Sequence, residues 1–169
     1  MCIIFVIKIE GVRIHIYCTE NNSAQIGNSD VTKLNVGTNL TLGGDTVYNT
    51  FIGKDALQYN TTGFRNTASG FGALYSNTTG HRNTASGSSA LHRNTTGSNN
   101  TASGFQALYS NTKGNFNTAN GNYALNSNTT GNFNTASGYW ALYSNTTGNN
   151  NTASGTSALQ LNTTGNQNT

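Results

Sequence analysis

NTASGFGALYSNTTGHR, residues 66–82, is one copy of a 17-residue pattern that the chain repeats. Copies begin at an Asn-Thr pair at residues 49, 66, 83, 100, 117, 134 and 151, and an eighth copy starts at Asn168. The shared pattern is N-T-A-S-G-x-x-A-L-x-x-N-T-T-G-x-x, whose repeat positions are numbered 1 to 17 below. Self-similarity at a fixed period is the signature of a repeat architecture.

This repeat predicts an all-β fold, a β-solenoid (β-roll or β-helix) of 17-residue coils with one repeat per coil. A single unit is too short to bury an apolar face alone, so successive units must stack. Threonine, asparagine and glycine are poor helix formers. The glycines at positions 5 and 15 are predicted turns, and N-T-A-S and A-L-x-x are predicted strands. At about 4.8 Å between stacked strands, the seven complete coils predict a rod about 34 Å long.

Leucine at position 9 and asparagine at positions 1 and 12 are predicted to stack on their own copies along the axis. Stacked amides can hydrogen-bond in ladders; the alternative is that the asparagines are polar turn residues. The predicted core is Leu57, Leu74, Leu91, Leu108, Leu125, Leu142 and Leu159. The predicted ladders are Asn49, Asn66, Asn83, Asn100, Asn117, Asn134 and Asn151 at position 1, and Asn60, Asn77, Asn94, Asn111, Asn128, Asn145 and Asn162 at position 12.

The predicted core is thin, with one leucine and two alanines in most coils. Burying a leucine contributes about 1.5–3 kcal/mol, whereas ordering each residue costs about 1–2 kcal/mol of backbone entropy. We therefore expect association with other copies of the chain, as a homotrimer or a helical filament.

Aromatic residues recur at positions 6 and 10 of every second copy and predict a stripe along the rod. The stripe is Phe71, Tyr75, Phe105, Tyr109, Tyr139 and Tyr143. Aromatic side chains dominate packing energetics, so the stripe is expected to pack against another chain. The alternative is that it binds a sugar, on a glycan or a host surface.

Residues 1–47 do not follow the repeat and predict a β-rich cap or assembly segment, with the solenoid at 48–169. Two β-rich runs flank Glu10-Gly11, which favours a hairpin. That pairing would set Cys2 nearly opposite Cys18. A disulfide and two buried free thiols are both compatible with this placement.

Asn-x-Ser/Thr acceptor sequences recur at position 12. The sites are Asn60, Asn77, Asn94, Asn128, Asn145 and Asn162. Glycans on them would form a column along the rod; chance matches in an Asn- and Thr-rich chain are the alternative.

The charge pattern argues against catalysis and nucleic-acid binding. Charged residues are 8% of the chain, and residues 56–169 contain four basic residues and no acid. Four scattered cations do not make a phosphate-binding stripe. The histidines match no metal-ligand spacing. We expect no enzymatic activity and no cofactor or metal. We also expect no membrane span, because the longest apolar run, residues 2–7, falls far below the roughly 18 residues that one requires.

The pattern N-T-A-S-G-x-x-A-L-x-x-N-T-T-G resembles the head repeats of YadA-like trimeric autotransporter adhesins. It is more similar still to the N-T-A-I-G-x-x-A-L-x-S-N-T-T-G repeats of bacterial and phage tail-fibre-like proteins. The first copy keeps the isoleucine as Ile52, and the resemblance covers residues 48–169, about 70% of the chain. It implies a trimeric, surface-exposed protein with an adhesive or fibrous role.

Repeat and resemblance together predict a structural segment of an extracellular fibre or adhesin on a cell or virion surface. Three alternatives remain: a carbohydrate-binding module that uses the aromatic stripe, a phage tail-fibre shaft, and an ice-binding solenoid suggested by the threonine rows.

Overall fold

The computed structural model describes residues 6–9, 12–18, 24–26 and 48–169, with side chains described from 48 to 169. Within these residues the secondary structure consists of strands and turns, with no helix. The chain divides into two compact units, Met1–Thr41 and Leu42–Thr169. The second unit is the predicted β-solenoid.

The first unit contains a three-stranded antiparallel sheet. Strand β1 (Val6–Ile9) pairs with β2 (Val12–Cys18), and Ile9 lies opposite Val12, so the predicted hairpin is confirmed. A third strand, β3 (Ala24–Ile26), pairs with β2 and was not predicted. Cys2 lies outside the described residues, and the disulfide therefore stays a prediction.

The second unit contains seven three-residue strands at repeat positions 2–4, one in each coil. They are β4 (Thr50–Ile52), β5 (Thr67–Ser69), β6 (Thr84–Ser86), β7 (Thr101–Ser103), β8 (Thr118–Asn120), β9 (Thr135–Ser137) and β10 (Thr152–Ser154). All pair in parallel in chain order, with threonine opposite threonine. Equivalent residues of successive 17-residue repeats therefore lie beside one another.

The core of the solenoid is a narrow column of alanine and leucine. In β5–β10 the alanine at position 3 points inward while its two strand neighbours are exposed. It meets the Ala-Leu pair of positions 8 and 9, and all these residues form one buried cluster. Leu74, Leu91, Leu108, Leu125 and Leu142 are fully buried. Leu57 is also buried, whereas Leu159 in the last coil is only partly covered.

The predicted strand at A-L-x-x is wrong, because the leucine of every copy has a left-handed backbone, with φ between 48° and 53°. Its N–H donates to the next coil, as from Leu74 to the Ala90 carbonyl, while the Leu74 carbonyl accepts from Asn77 and closes a tight turn. Such a φ is uncommon for any residue and most costly for β-branched ones. This explains why the position holds leucine rather than isoleucine or valine.

Positive φ recurs at four positions of each coil, which is how 17 residues close a full turn. Besides leucine, these are the glycine of position 5 and the residues of positions 7 and 17. Position 7 is Gly72 in the second coil, with φ 60°, and Ser89 in the third, with φ 57°. A left-handed conformation costs an L-residue roughly 1–2 kcal/mol that glycine avoids.

We therefore expect Ser89→Gly to stabilise the solenoid. Relief of the left-handed conformation is worth about 1–2 kcal/mol, and the greater freedom of glycine in the unfolded chain removes about 0.4–1 kcal/mol of that gain. The midpoint of urea unfolding, followed by circular dichroism, should rise.

Ser88→Gly is the matched control, because the neighbouring serine has no positive φ. Ser88→Gly also makes the unfolded chain more flexible, but it relieves no left-handed backbone conformation. The midpoint of its urea unfolding should therefore fall. Equal shifts for the two variants would contradict the assignment of strain to position 7.

Candidate functional site

The asparagines of position 12 form a continuous side-chain ladder inside the solenoid. The Asn94 Nδ2 donates to the Asn77 Oδ1 at 2.8 Å and to the Gly97 carbonyl of its own coil at 2.9 Å. The same amide-to-amide bond repeats in every coil from Asn60 to Asn162. Both Nδ2 hydrogens of an interior asparagine are therefore used.

The asparagines of position 1 form a second ladder of a different type. The Asn117 backbone N–H donates to the Asn100 Oδ1 at 2.9 Å, and the Asn117 Nδ2 donates to the Gly131 carbonyl at 2.8 Å. The backbone-to-side-chain bond repeats along the array from Asn49 to Asn168. Each side chain thus satisfies the backbone of the coil that follows.

The two ladders meet at the glycine of position 15. Asn117 and Asn128 both donate to the Gly131 carbonyl, at 2.8 and 3.0 Å. A Cβ on this glycine would collide with the Asn128 Oδ1 and with the carbonyl oxygen of Gly148. Only glycine fits at this position, because any side chain would collide with these atoms. Its carbonyl accepts hydrogen bonds from an asparagine near the start of the coil and from one near its end. The amide-ladder prediction is confirmed against the turn-residue alternative.

A third ladder at position 16 was missed by the sequence interpretation, which treated that position as variable. The Asn115 N–H donates to the Asn132 Oδ1 at 2.9 Å, and its Nδ2 donates to the carbonyl of Lys113 at 2.8 Å. The pattern continues through Asn149 to Asn166, near the surface. The signal that could have revealed it is the run of asparagine at this position in the last four complete copies.

The glycan column at position 12 is corrected by this geometry. Asn77, Asn94, Asn128 and Asn145 are fully buried, and the Nδ2 that would carry a sugar donates two hydrogen bonds. A glycan on any of them would replace one of the two Nδ2 hydrogens, remove the hydrogen bond that it makes, and place a sugar inside the solenoid. Asn60 and Asn162 are half-buried, and their Nδ2 also donates to the glycine of position 15.

The aromatic stripe divides into two groups instead of forming one row. In the first, His92 lies between the rings of Tyr75 and Tyr109, stacked at 4.8 and 5.2 Å. Its Nδ1 lies 3.0 Å from the Gly72 carbonyl oxygen. Because a carbonyl can only accept a hydrogen bond, Nδ1 is the donor in this contact. The first-copy Tyr59 packs edge-on against Tyr75 at 4.9 Å. The hydrogen bond to Tyr59 raises the pKa of Tyr75, with smaller contributions from desolvation and nearby charge.

The second group gathers around Tyr123, which the predicted stripe did not include. The Tyr123 ring lies 5.2 Å from Phe105 and 6.1 Å from Tyr139, edge-on to both. Trp140 and Tyr143 lie at 6.4 Å, and Trp140 stacks on Tyr139 at 4.8 Å. Phe71 is 53% exposed and belongs to neither group.

The outer side of the parallel sheet is lined by hydroxyl groups. The threonines of position 2 are exposed in all seven strands, and position 4 carries exposed serine in five of them. The hydroxyl rows therefore face solvent, as an ice-binding surface would require.

Within the described residues no group of three or more His, Cys, Asp or Glu side chains could hold a metal ion. No helix long and apolar enough to cross a membrane occurs in that same part of the chain. No family model matches this sequence, and neither the curated proteins nor the solved structures contain a significant relative.

Proposed function

We propose that residues 48–169 form a structural segment of an extracellular fibre or adhesin, whose role is to build and hold length. The observation that carries this proposal is the unbroken pair of buried asparagine ladders from the first coil to the last. Every coil repeats the same bonds to its neighbours, so the segment adds length without needing a new core. A stack bonded along its axis is suited to bearing load.

The proposal includes association with other copies of the chain. Phe116 and Phe133 occupy position 17 of successive coils, their rings stacked at 5.0 Å. They are 52% and 57% exposed, which is unfavourable for two adjacent apolar rings in a monomer. We assign this phenylalanine pair to the contact with a second copy, as one part of a larger interface.

Electron microscopy and sedimentation velocity of the purified chain test the proposal. We expect elongated particles sedimenting as a trimer or a larger assembly. The double variant Phe116→Ser/Phe133→Ser should shift the distribution toward monomer, because it removes the exposed apolar contact.

Phe71→Ser is the matched control, since Phe71 is equally exposed but lies at position 6. Its assembly state should not change. If the wild-type protein sediments as a monomer, the proposed association is wrong. If the particles are compact, the proposed structural role is wrong.

A further inference from the structure

The group of rings around Tyr123 has features of a binding site that a structural role does not require. It comprises Phe105, Tyr123, Tyr139, Trp140 and Tyr143, contributed by three successive coils. We name this set the Tyr123 cluster. The coil that follows it carries Thr156, Ser157 and Gln160 at the same positions, so the cluster is local. We propose that the Tyr123 cluster binds a neutral carbohydrate chain.

The rings of the cluster are only partly covered by the protein. Phe105 is 39% and Tyr139 44% exposed, while Tyr123, Trp140 and Tyr143 are half-buried. They lie outside the alanine-leucine core. Partly exposed aromatic groups of this kind offer an apolar surface together with polar ring atoms, the combination found in small-ligand sites.

A second observation is the indole N–H of Trp140. Its Nε1 is the one buried side-chain nitrogen or oxygen in the described part of the chain without a hydrogen-bond partner. A buried unsatisfied donor is costly and calls for an explanation in a native structure. The proposal therefore includes a movement of a neighbouring ring on binding, which lets a ligand oxygen reach and satisfy this donor.

The surroundings of the cluster favour an uncharged ligand rich in hydroxyl groups. Nothing from residue 114 to residue 169 is charged. The exposed Asn122 and the half-buried Gln106 and Ser144 are sequence neighbours of the ring residues, and all three are neutral amides or hydroxyls. Amides and hydroxyls both donate and accept, as sugar hydroxyls do, whereas the two coils that supply four of the five rings, residues 117–150, contain no charge to pair with an anionic or cationic ligand.

A second copy of this chain fits the cluster less well than a sugar. A stable protein interface needs about 800 Å² on each partner. An aromatic side chain buries about 150–250 Å² when fully covered, so five partly covered rings present less than that interface needs. Phe105 and Tyr139 are two coils apart, about 9.6 Å, which is comparable to a disaccharide unit.

Tryptophan fluorescence tests the proposal, because Trp140 is the only tryptophan in the chain. The full chain is titrated with cellohexaose, maltohexaose and chitohexaose, each up to about 20 mM. We expect at least one to shift or quench the emission with a dissociation constant on the order of 1 mM. Tyr123→Ala should weaken this binding by about tenfold or more.

Phe71→Ala is the matched control, because it removes an exposed ring that lies outside both the cluster and the Phe116–Phe133 pair. Its affinity should equal that of the wild type. Trp140→Phe, followed by calorimetry, keeps a ring but removes the donor, and it should also weaken binding. If Tyr123→Ala fails to fold, Tyr139→Ala replaces it, since Tyr139 is largely at the surface.

Two results would overturn the proposal. One is the absence of any emission change with all three oligosaccharides, or an unchanged affinity in the cluster variants. The other is an emission change on dilution without sugar that the cluster variants abolish, which would assign the cluster to self-association. Neither result bears on the asparagine ladders, so the structural role stands or falls separately.

Discussion

Gly104→Ala is expected to be among the most damaging single substitutions in the chain, with a loss of about 3–5 kcal/mol. Gly104 lies at position 5 with φ 134°, a conformation that L-residues rarely adopt and that costs roughly 1–3 kcal/mol. A Cβ would also lie 2.6 Å from the Gly121 carbonyl carbon and 2.7 Å from its oxygen. These atoms belong to the backbone of the next coil, so the clash can be relieved only by separating the coils. Urea unfolding followed by circular dichroism measures the loss.

Two glycines separate backbone strain from the clash between coils. At Gly155, also position 5, φ is 119° and an added Cβ meets nothing within 4 Å. Gly72 lies in the second coil with φ 60°. A Cβ added there would approach only side-chain atoms, those of His92 and Ser89. Gly155→Ala should lose only the strain, roughly 1–3 kcal/mol. Gly72→Ala should lose roughly 1–2 kcal/mol of left-handed strain together with a small displacement of the His92 ring, 3.1 Å from the added Cβ. A Gly104→Ala loss no larger than these would mean that successive coils do not approach as closely as described.

The stacking of the coils follows from features that are visible in the sequence. A constant interval of 17 residues places like side chains over one another once the chain is a solenoid. Asparagine can donate and accept in the same direction at every step, which makes a ladder self-consistent. For this reason the ladder residues and the buried leucines could be predicted from the sequence alone.

The path of the chain within a coil could not be predicted in the same way. The place of Ala-Leu between two turn glycines predicts a strand, yet the leucine has a positive φ in every copy. The compensation comes from bonds to neighbouring coils, as from Leu108 to the Ala124 carbonyl, and from burial of the side chain. Neither contribution exists in an isolated repeat, so tertiary structure overrides the local sequence pattern here.

The surface was harder to predict than the interior because its residues vary between copies. Spacing alone placed Tyr75 and Tyr109 in one column, but His92 from the intervening copy completes their stack. Tyr123 was overlooked because it lies at position 7, outside the predicted stripe. Side chains at adjacent positions of successive coils meet across the coil surface, and a column-by-column interpretation cannot detect such contacts.

Asn128→Asp is expected to be as damaging as Gly104→Ala, and its effect should depend on pH. The Asn128 Nδ2 donates to the Asn111 Oδ1 at 2.9 Å and to the Gly131 carbonyl at 3.0 Å. A carboxylate has no hydrogen to donate, so two acceptor oxygens would face a buried negative charge. Leaving one buried charge without a partner costs about 3–5 kcal/mol. The cation on the neighbouring coil, Lys113, is exposed to solvent, whereas residue 128 is buried.

The pH dependence has a definite sign. Burial among acceptor oxygens raises the pKa of the introduced carboxyl in the folded state above the value of about 3.9 expected in the unfolded chain. The folded variant therefore binds more protons, and its stability relative to wild type should fall as pH rises above about 4. Asn128→Ala loses the same donors without a titrating group, so its deficit of about 1–3 kcal/mol should not vary with pH.

Asn120→Asp is the control in the same coil, because Asn120 is exposed on the outer side of β8. There the carboxylate stays hydrated, and the unfolding midpoint should remain close to that of the wild type at every pH. The contrast between residues 120 and 128 depends on orientation alone, since the substitution and the coil are the same. If Asn128→Asp were as stable as Asn120→Asp at neutral pH, the amide of position 12 could not be a buried donor. The stacking of coils through asparagine would then need another explanation.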